Sequence, residues 1–325
     1  MDNRPGCCQR DHNQSMRRIP LPPSLLDGSF SLRTADLEGV PRKRTRARDV
    51  LTVSRSIRLP AAAQPKGTEA LRAYTDLDGS CLLSHHSAAR ILGIALPPWA
   101  QEDWRIHVAR PASGSTPRRV NVVGHRLVLA PEEIASVGGV RVTSVARSWL
   151  DLASVLSLDE LIAAGDSIVC AHGPEFPVPK EPLGQLETLQ RIVARHKRAR
   201  GILNARQALE LIRVGADSPP ETVLRLALIR AGLPEPELNV VVRDEAGIPR
   251  IWPDAAYPRY CVAVQYDGGH HDGDDQYGRD IRRGDWTTAM GWLEVRVDKT
   301  DLGGEKPPVV AKVLRALKSR GYGFR

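Results

Sequence analysis

Near its C-terminal end the chain carries a run that constrains the layer order of any fold built on it. Trp252-Pro253-Asp254 is followed, after a short gap, by Cys261-Val-Ala-Val-Gln265-Tyr266-Asp267-Gly268-Gly269-His270-His271. Cys261–Tyr266 is a continuous apolar run, which places it as a central strand covered on both faces. Pro253 has no N–H to give a ladder, so the preceding strand, Arg250–Ala256, is an edge or carries a bulge. Ser218-Pro219-Pro220-Glu221 has the form of a helix start, with Ser at the N-cap, Pro at the first helical position and Glu at the third. The helix it opens, Thr222–Ala231, stops at Gly232. Leu238–Arg243 reads as a strand, Gln276–Met290 as a charged helix, Trp292–Val297 as a fourth strand and Pro307–Lys318 as a closing helix. The order α-β-β-β-α-β-α over Ser218–Tyr322 predicts a mixed sheet flanked by helices.

The same run gathers the groups that phosphodiester cleavage needs: ligands for a metal that activates water and offsets charge on the phosphate. Mg²⁺ takes oxygen ligands. Asp254 and Asp267 fall at or near the ends of adjacent strands, and Gln265 shares a face with Asp267 by alternation if the strand runs that far. Asp254, Gln265 and Asp267 are therefore candidate ligands for Mg²⁺ or Mn²⁺. Glu221, at the helix start, adds a third carboxylate. His270 or His271 is placed for proton transfer, and Arg279, Arg282 and Arg283 on the following helix for holding a nucleic-acid backbone. Each residue also has a plainer reading. Glu221 serves equally as a capping-box acceptor, Asp254 as a turn residue after Pro253, Asp267-Gly268-Gly269 as an ordinary turn, and either histidine as a structural residue.

Charge points to the same kind of partner. The formal net charge is +8 with a pI near 9.5, which favours a polyanion, most often nucleic acid. Residues 1–60 hold 12 Lys/Arg against 6 Asp/Glu. Within them, residues 1–23 read as a disordered leader and 24–60 as a small module. A short helix ending at Gly39 precedes the basic segment Pro41–Arg48, and a strand-like Val53–Leu59 follows. Helix, basic helix, strand is the order of a winged helix-turn-helix, with Arg42, Lys43, Arg44, Arg46 and Arg48 facing DNA; a solvated basic tail is the alternative. Ala61–Thr68 reads as a linker and 69–172 as an α/β domain. In that domain a helix runs over Leu82–Gly93, strands over Arg105–Ala109 and His125–Leu129, and a helix over Val142–Ala153, capped by Thr143 or Ser144. His85 and His86 lie about 100° apart on a helix and do not chelate as an i, i+4 pair does, so packing or capping explains them. Residues 185–214 form a basic helical connector with a break at Gly201. The five cysteines are odd in number and form no CxxC pair, which reads as reduced thiols of a cytoplasmic protein. No apolar run reaches membrane-spanning length, and no membrane partner is expected.

From Ser218 to about Asp298 the chain resembles the very-short-patch-repair-type endonuclease domain of the PD-(D/E)XK superfamily. The residues that carry the likeness are Ser218-Pro-x-Glu221 with Leu224-Arg225, Gly232-Leu-Pro, Pro253-Asp254, Tyr266-Asp267-Gly268 with His270/His271, Gln276 with Asp280 and Arg283, and Gly291-Trp292. The resemblance implies metal-assisted DNA hydrolysis, with Asp254 as the central ligand, Glu221 as the helix acid and His270 or His271 moving the proton. The family usually has Glu-Tyr-Asp-Gly where this chain has Gln265-Tyr266-Asp267-Gly268. An amide oxygen ligates a metal but brings no charge, so the site is weakened, altered or silent. Upstream, Leu83-Ser-His-His-Ser-Ala-Ala89, Gly93 and Val142-Thr-Ser-x-Ala-Arg-x-x-Leu-Asp-Leu-Ala153 resemble AbiEi-type antitoxins of type IV toxin–antitoxin systems. That likeness implies an N-terminal winged helix, a second α/β domain and a cognate toxin as partner. A metal-dependent deoxyribonuclease and a non-catalytic DNA-binding regulator are thus the two functional expectations.

Overall fold

The structure is a computed structural model that describes residues 19–77, 79–268 and 284–323. The chain divides into two compact units, Met1–Gly79 and Ser80–Arg325. It is an α/β (α+β) protein with helices set against mixed sheets. No described helix is long and apolar enough to cross a membrane.

In the first unit, strands β1 (Phe30–Ser31), β2 (Val50–Ser54) and β3 (Ile57–Pro60) form an antiparallel sheet in the order β1-β3-β2. Helix α1 (Leu32–Leu37) starts because Ser31 Oγ accepts the Thr34 N–H at 2.9 Å. Leu21, Leu25, Phe30, Ala35, Val40 and Val50 make the core. Two expectations change here. The basic helix is absent: Pro41–Arg48 holds one 3-10 turn, Arg44–Arg46. The Arg44 side chain is buried and bonded to both carboxylate oxygens of Asp49 at 2.9 Å, which pulls the segment inward. The strand-like stretch is a hairpin, β2 and β3. The domain boundary also moves, because helix α2 (Gly67–Thr75) belongs to this unit. Its Ala73 and Tyr74 are buried, and Ser29 Oγ donates to the Ala70 carbonyl at 2.8 Å.

The second unit begins with a five-stranded sheet. Its strands are β4 (Leu82–Leu83), β5 (Ile106–Pro111), β6 (Val122–Leu127), β7 (Ile134–Val137) and β8 (Val140–Thr143), in the order β6-β5-β4-β8-β7. The pairs β5–β6 and β4–β8 are parallel, whereas β4–β5 and β7–β8 are antiparallel. Helix α3 (His85–Leu92) ends at left-handed Gly93, and α4 (Pro98–Gln101) follows. Helix α5 (Val145–Leu152) is capped by Ser144, and α6 (Leu158–Val169) by a Ser157/Glu160 capping box. Helices α7 (Leu186–Arg195) and α8 (Ile202–Leu211) complete this layer. Trp149, Leu161, Ile162, Leu189 and Ala208 are central to the apolar core between them.

Helix α9 (Pro219–Arg230) then leads into the hairpin β9 (Val242–Arg243) and β10 (Pro249–Ile251). The expected break at Pro253 is present. Strand β11 (Ala255–Tyr257) begins beyond it and pairs antiparallel with β12 (Val262–Tyr266), which pairs in parallel with β13 (Leu293–Val297). Residues 284–289 are helical, and α10 (Pro308–Ser319) closes the unit. Strand β12 is central, as its apolar run predicts. Leu224 and Leu228 of α9 pack with Val262, Val264, Val295 and Val313. Residues 80–172, 185–214 and 218–322 fall within the second compact unit, and Leu226 of the same α9 joins the upstream core.

Candidate functional site

Residues expected to act together at the C-terminal site come from α9, the break before β11 and the end of β12. Glu221 sits in the first turn of α9. Its Oε2 accepts the Asp217 N–H at 2.7 Å and its Oε1 accepts the Ser218 hydroxyl at 2.6 Å. Glu221 thus accepts from residues at the helix start, but the expected capping box does not form, since the Ser218 side chain makes no cap bond to the helix and its hydroxyl donates to Glu221 instead. Burial first, and the charge of Asp254 second, raise the Glu221 carboxyl to about 7. Asp254 Oδ2 accepts the Tyr266 N–H at 2.6 Å, so this carboxylate is fixed against the end of β12. The register Ala255↔Val264 puts position 254 opposite Gln265, and Gln265 pairs on its other side with Arg296 of β13. Asp267 lies one residue past the strand end, is exposed, and donates its N–H to the Val297 carbonyl at 2.7 Å. Glu221, Asp254 and Gln265 are thus brought to one strand end. Among the described residues, Glu221, Asp254 and Asp267 do not form a three-ligand set at metal spacing. His270, His271, Arg279, Arg282 and Arg283 lie outside the described residues.

At the N-terminal unit, Arg42, Lys43, Arg46 and Arg48 are exposed. Arg42 also pairs with Asp36. Arg44 is spent internally on Asp49, as above.

The sequence reading missed a second constellation in the five-stranded sheet. His85 and His86 are buried, as packing requires, but they do not act as a pair. His107 from β5 and His125 from β6 join them. His107 Nδ1 lies 3.1 Å from His125 Nε2, and His107 Nε2 lies 3.3 Å from Asp103 Oδ2. His86 Nδ1 is 3.4 Å from the same oxygen, while its buried Nε2 has no hydrogen-bond partner among the described residues. The His85 ring stacks on His125 at 3.7 Å. Burial first, and the neighbouring imidazoles second, bring His107 and His125 down to about 4, so both are neutral at pH 7. The available signal was two strand histidines near a helix-start His-His pair.

His85 and His125 line a cavity of about 690 Å³ together with Arg126, Arg147, Lys197, Arg198 and Arg200. Lys197, Arg198 and Arg200 of the connector are exposed and border this pocket. Arg147 is tied to Glu133 Oε2 at 2.6 Å and Asp151 Oδ1 at 2.9 Å. Burial pushes Asp151 up to about 6. A further trio, Cys170, His172 and Asp217, closes on itself. Lys180 Nζ donates to Asp217 Oδ1 at 2.7 Å, and the Cys170 thiol is raised to about 11 by burial and by Asp217. A protonated thiol beside an ammonium group is a poor metal site.

No protein-family model matches the chain. It is similar to two uncharacterized proteins of Mycobacterium tuberculosis, one from strain CDC 1551 / Oshkosh and one from strain ATCC 25618 / H37Rv. Each is 28% identical to it over 197 residues, covering 60% of this chain and 66% of the relative. The chain thus spans just under two thirds of the length of the relatives it matches. No solved structure matches it.

Proposed function

We propose that this protein is a cytoplasmic DNA-binding protein whose C-terminal domain is an attenuated metal-dependent phosphodiesterase. The observation that carries the reading is the meeting of Glu221 and Asp254 at the end of the central strand β12, close enough for Asp254 to raise Glu221. Two carboxylates from a helix start and a strand break, beside the amide oxygen of Gln265, offer hard oxygen ligands to Mg²⁺ or Mn²⁺. That ion supplies Lewis-acid activation of water at a phosphodiester. The protein's own share is to position the ligands: β12 holds Gln265, and the Tyr266 N–H holds Asp254. The exposed Arg42, Lys43, Arg46 and Arg48 offer phosphate contacts. Cys81, Cys170 and Cys261 are in thiol form among the described residues, which suits a reducing compartment.

The test is cleavage of supercoiled, linear and single-stranded DNA with Mn²⁺, alongside metal titration by calorimetry. Wild type nicks slowly, Asp254→Ala does not nick, and Gln265→Glu binds Mn²⁺ at least about tenfold more tightly, because it restores a charged ligand (about 1.4 kcal/mol). Intact DNA in all three proteins, with no metal uptake, removes the catalytic half.

One observation favours a second reading, a non-catalytic DNA-binding regulator or antitoxin-like protein that keeps a nuclease-like fold. Both Glu221 oxygens and one Asp254 oxygen already accept protein hydrogen bonds. On that reading, salt-dependent DNA binding survives Asp254→Ala and weakens when Arg42, Lys43, Arg46 and Arg48 are neutralised. A cognate toxin would then be the protein partner.

A further inference from the structure

We propose that His85, His107 and His125 bind a divalent transition metal of the zinc class, with an open coordination position on the basic cavity that takes an anionic, phosphate-type ligand. The site stands apart from Glu221 and Asp254 and does not rest on the phosphodiesterase reading. One imidazole comes from each of α3, β5 and β6, so the fold assembles it. One nitrogen from each ring lies within 4.8 Å of the others, and two of them, His107 Nδ1 and His125 Nε2, are 3.1 Å apart. Two nitrogens on one tetrahedral zinc, each at about 2.0–2.1 Å, are separated by roughly 3.4 Å. His85 and His125 are stacked at 3.7 Å, so binding requires the His85 ring to rotate out of the stack and aim its nitrogen at the ion.

The rings are oriented from behind, as metal-binding histidines are. His107 turns its Nε2 to Asp103 Oδ2 at 3.3 Å, leaving Nδ1 for a metal. Arg105 Nε in turn donates to the other Asp103 oxygen at 2.9 Å. His85 turns its Nδ1 to Ser84 Oγ at 3.1 Å, leaving Nε2. His85 also holds a left-handed backbone, φ 47°. That conformation costs a non-glycine residue on the order of 1–3 kcal/mol and clusters at ligand sites. An alternative trio, His86, Asp103 and His107, has no member among the residues lining the basic cavity, whereas His85 and His125 line it. Three neutral nitrogen donors leave the ion its full charge and an open position, the pattern of zinc sites that keep an exchangeable ligand. Lys197, Arg198 and Arg200 around the same cavity favour an anion there.

The test uses the full chain, stripped with chelator and titrated with Co²⁺. Expected are one equivalent bound with the visible absorption of a four- or five-coordinate nitrogen site, distinct from any spectrally weak oxygen-ligated ion at Asp254, displacement by Zn²⁺, and a spectral shift on adding inorganic phosphate. Asp254→Ala keeps all of these, which separates the site from the proposed nuclease centre. His107→Ala combined with His125→Ala weakens Co²⁺ binding at least about 100-fold, and Asp103→Asn weakens it about 10-fold, with circular dichroism reporting that each variant is folded. Wild-type protein without stoichiometric Co²⁺ or Zn²⁺ uptake overturns the site, and so does a folded double variant that binds as wild type. A Co²⁺ spectrum indifferent to phosphate overturns the open position. Should the double variant fail to fold, the wild-type titration decides.

Discussion

Glu221 concentrates opposing demands in one side chain. Its carboxylate closes the start of α9 by accepting from Asp217 and Ser218, yet it is buried beside Asp254. Burial and then Asp254 raise its carboxyl from the usual 4.5 to about 7. A carboxyl raised on folding holds its proton more tightly in the folded state. Its favourable share is complete below the unfolded value, and stability falls as pH climbs through the window from about 4.5 to 7. Glu221→Gln should therefore stabilise the protein by about 2–3 kcal/mol at pH 8 and by little at pH 4.5. Urea unfolding across that range checks it, and an equal effect at both ends contradicts it. A divalent ion bound between Glu221 and Asp254 relieves the same repulsion, so saturating Mn²⁺ should shrink the difference at pH 8. Gln265 belongs to this account as well: the amide lowers the negative charge of the cluster, which eases folding while weakening the hold on a cation.

At the scale of elements, the junction of α7 and α8 shows how one residue shapes a pocket. Gly201 has φ +80°, and a Cβ there would lie 2.2 Å from the Ala153 carbonyl oxygen. The close approach seats the Lys197–Arg200 loop against α5 and forms the basic cavity wall. Gly201→Ala should cost at least about 2 kcal/mol, from the left-handed backbone and the clash together, read as a lowered unfolding midpoint. This break was visible in the sequence, as were Gly93, the central strand β12 and the interruption at Pro253, because Gly and Pro act through local backbone geometry. Other features were not legible. Leu82 and Leu83 satisfy a helical stripe and a two-residue strand equally well, so the reading of one helix over Leu82–Gly93 missed the split at Ser84. The basic segment Pro41–Arg48 suits a helix by composition, and composition does not show that Arg44 turns inward to Asp49, five residues on, and to the distant Ile19 carbonyl. Among the C-terminal candidate ligands, Asp254 and Gln265 were legible as neighbours because a hairpin is a local pairing. The histidine cluster was not, since His85, His107 and His125 meet only through the β4–β5–β6 pairing.

Across the molecule, α9 is the element that makes Ser80–Arg325 one unit. Leu226 packs into the upstream helical core while Leu224 and Leu228 pack into the C-terminal sheet. Between them a buried ion pair crosses from α6. Arg225 Nη2 donates to Asp166 Oδ2 at 2.8 Å, and Thr222 Oγ1 donates to the same oxygen at 2.8 Å. Asp166 Oδ1 accepts the Arg213 N–H at 2.7 Å, and Arg225 Nη2 also donates to the Leu211 carbonyl at 2.8 Å. Both side chains are 1% exposed or less. Burial alone raises the Asp166 carboxyl, and Arg225 opposes that rise. Removing one partner leaves the other charge unpaired in an apolar setting, which costs about 3–5 kcal/mol, whereas replacing both with apolar residues is often close to neutral. Asp166→Ala should thus lower stability by that amount, and Asp166→Leu with Arg225→Met should recover most of the loss. Chemical denaturation with two probes gives the decisive reading. Trp149 reports the helical core and Trp292 the C-terminal sheet, each isolated by replacing the remaining tryptophans. In wild type the two transitions coincide, because α9 is shared by both cores. In Asp166→Ala they separate, with the C-terminal sheet melting first. Coincident transitions in that variant, with less than about 1 kcal/mol lost, mean that apolar packing by Leu226 couples the halves without help from the ion pair.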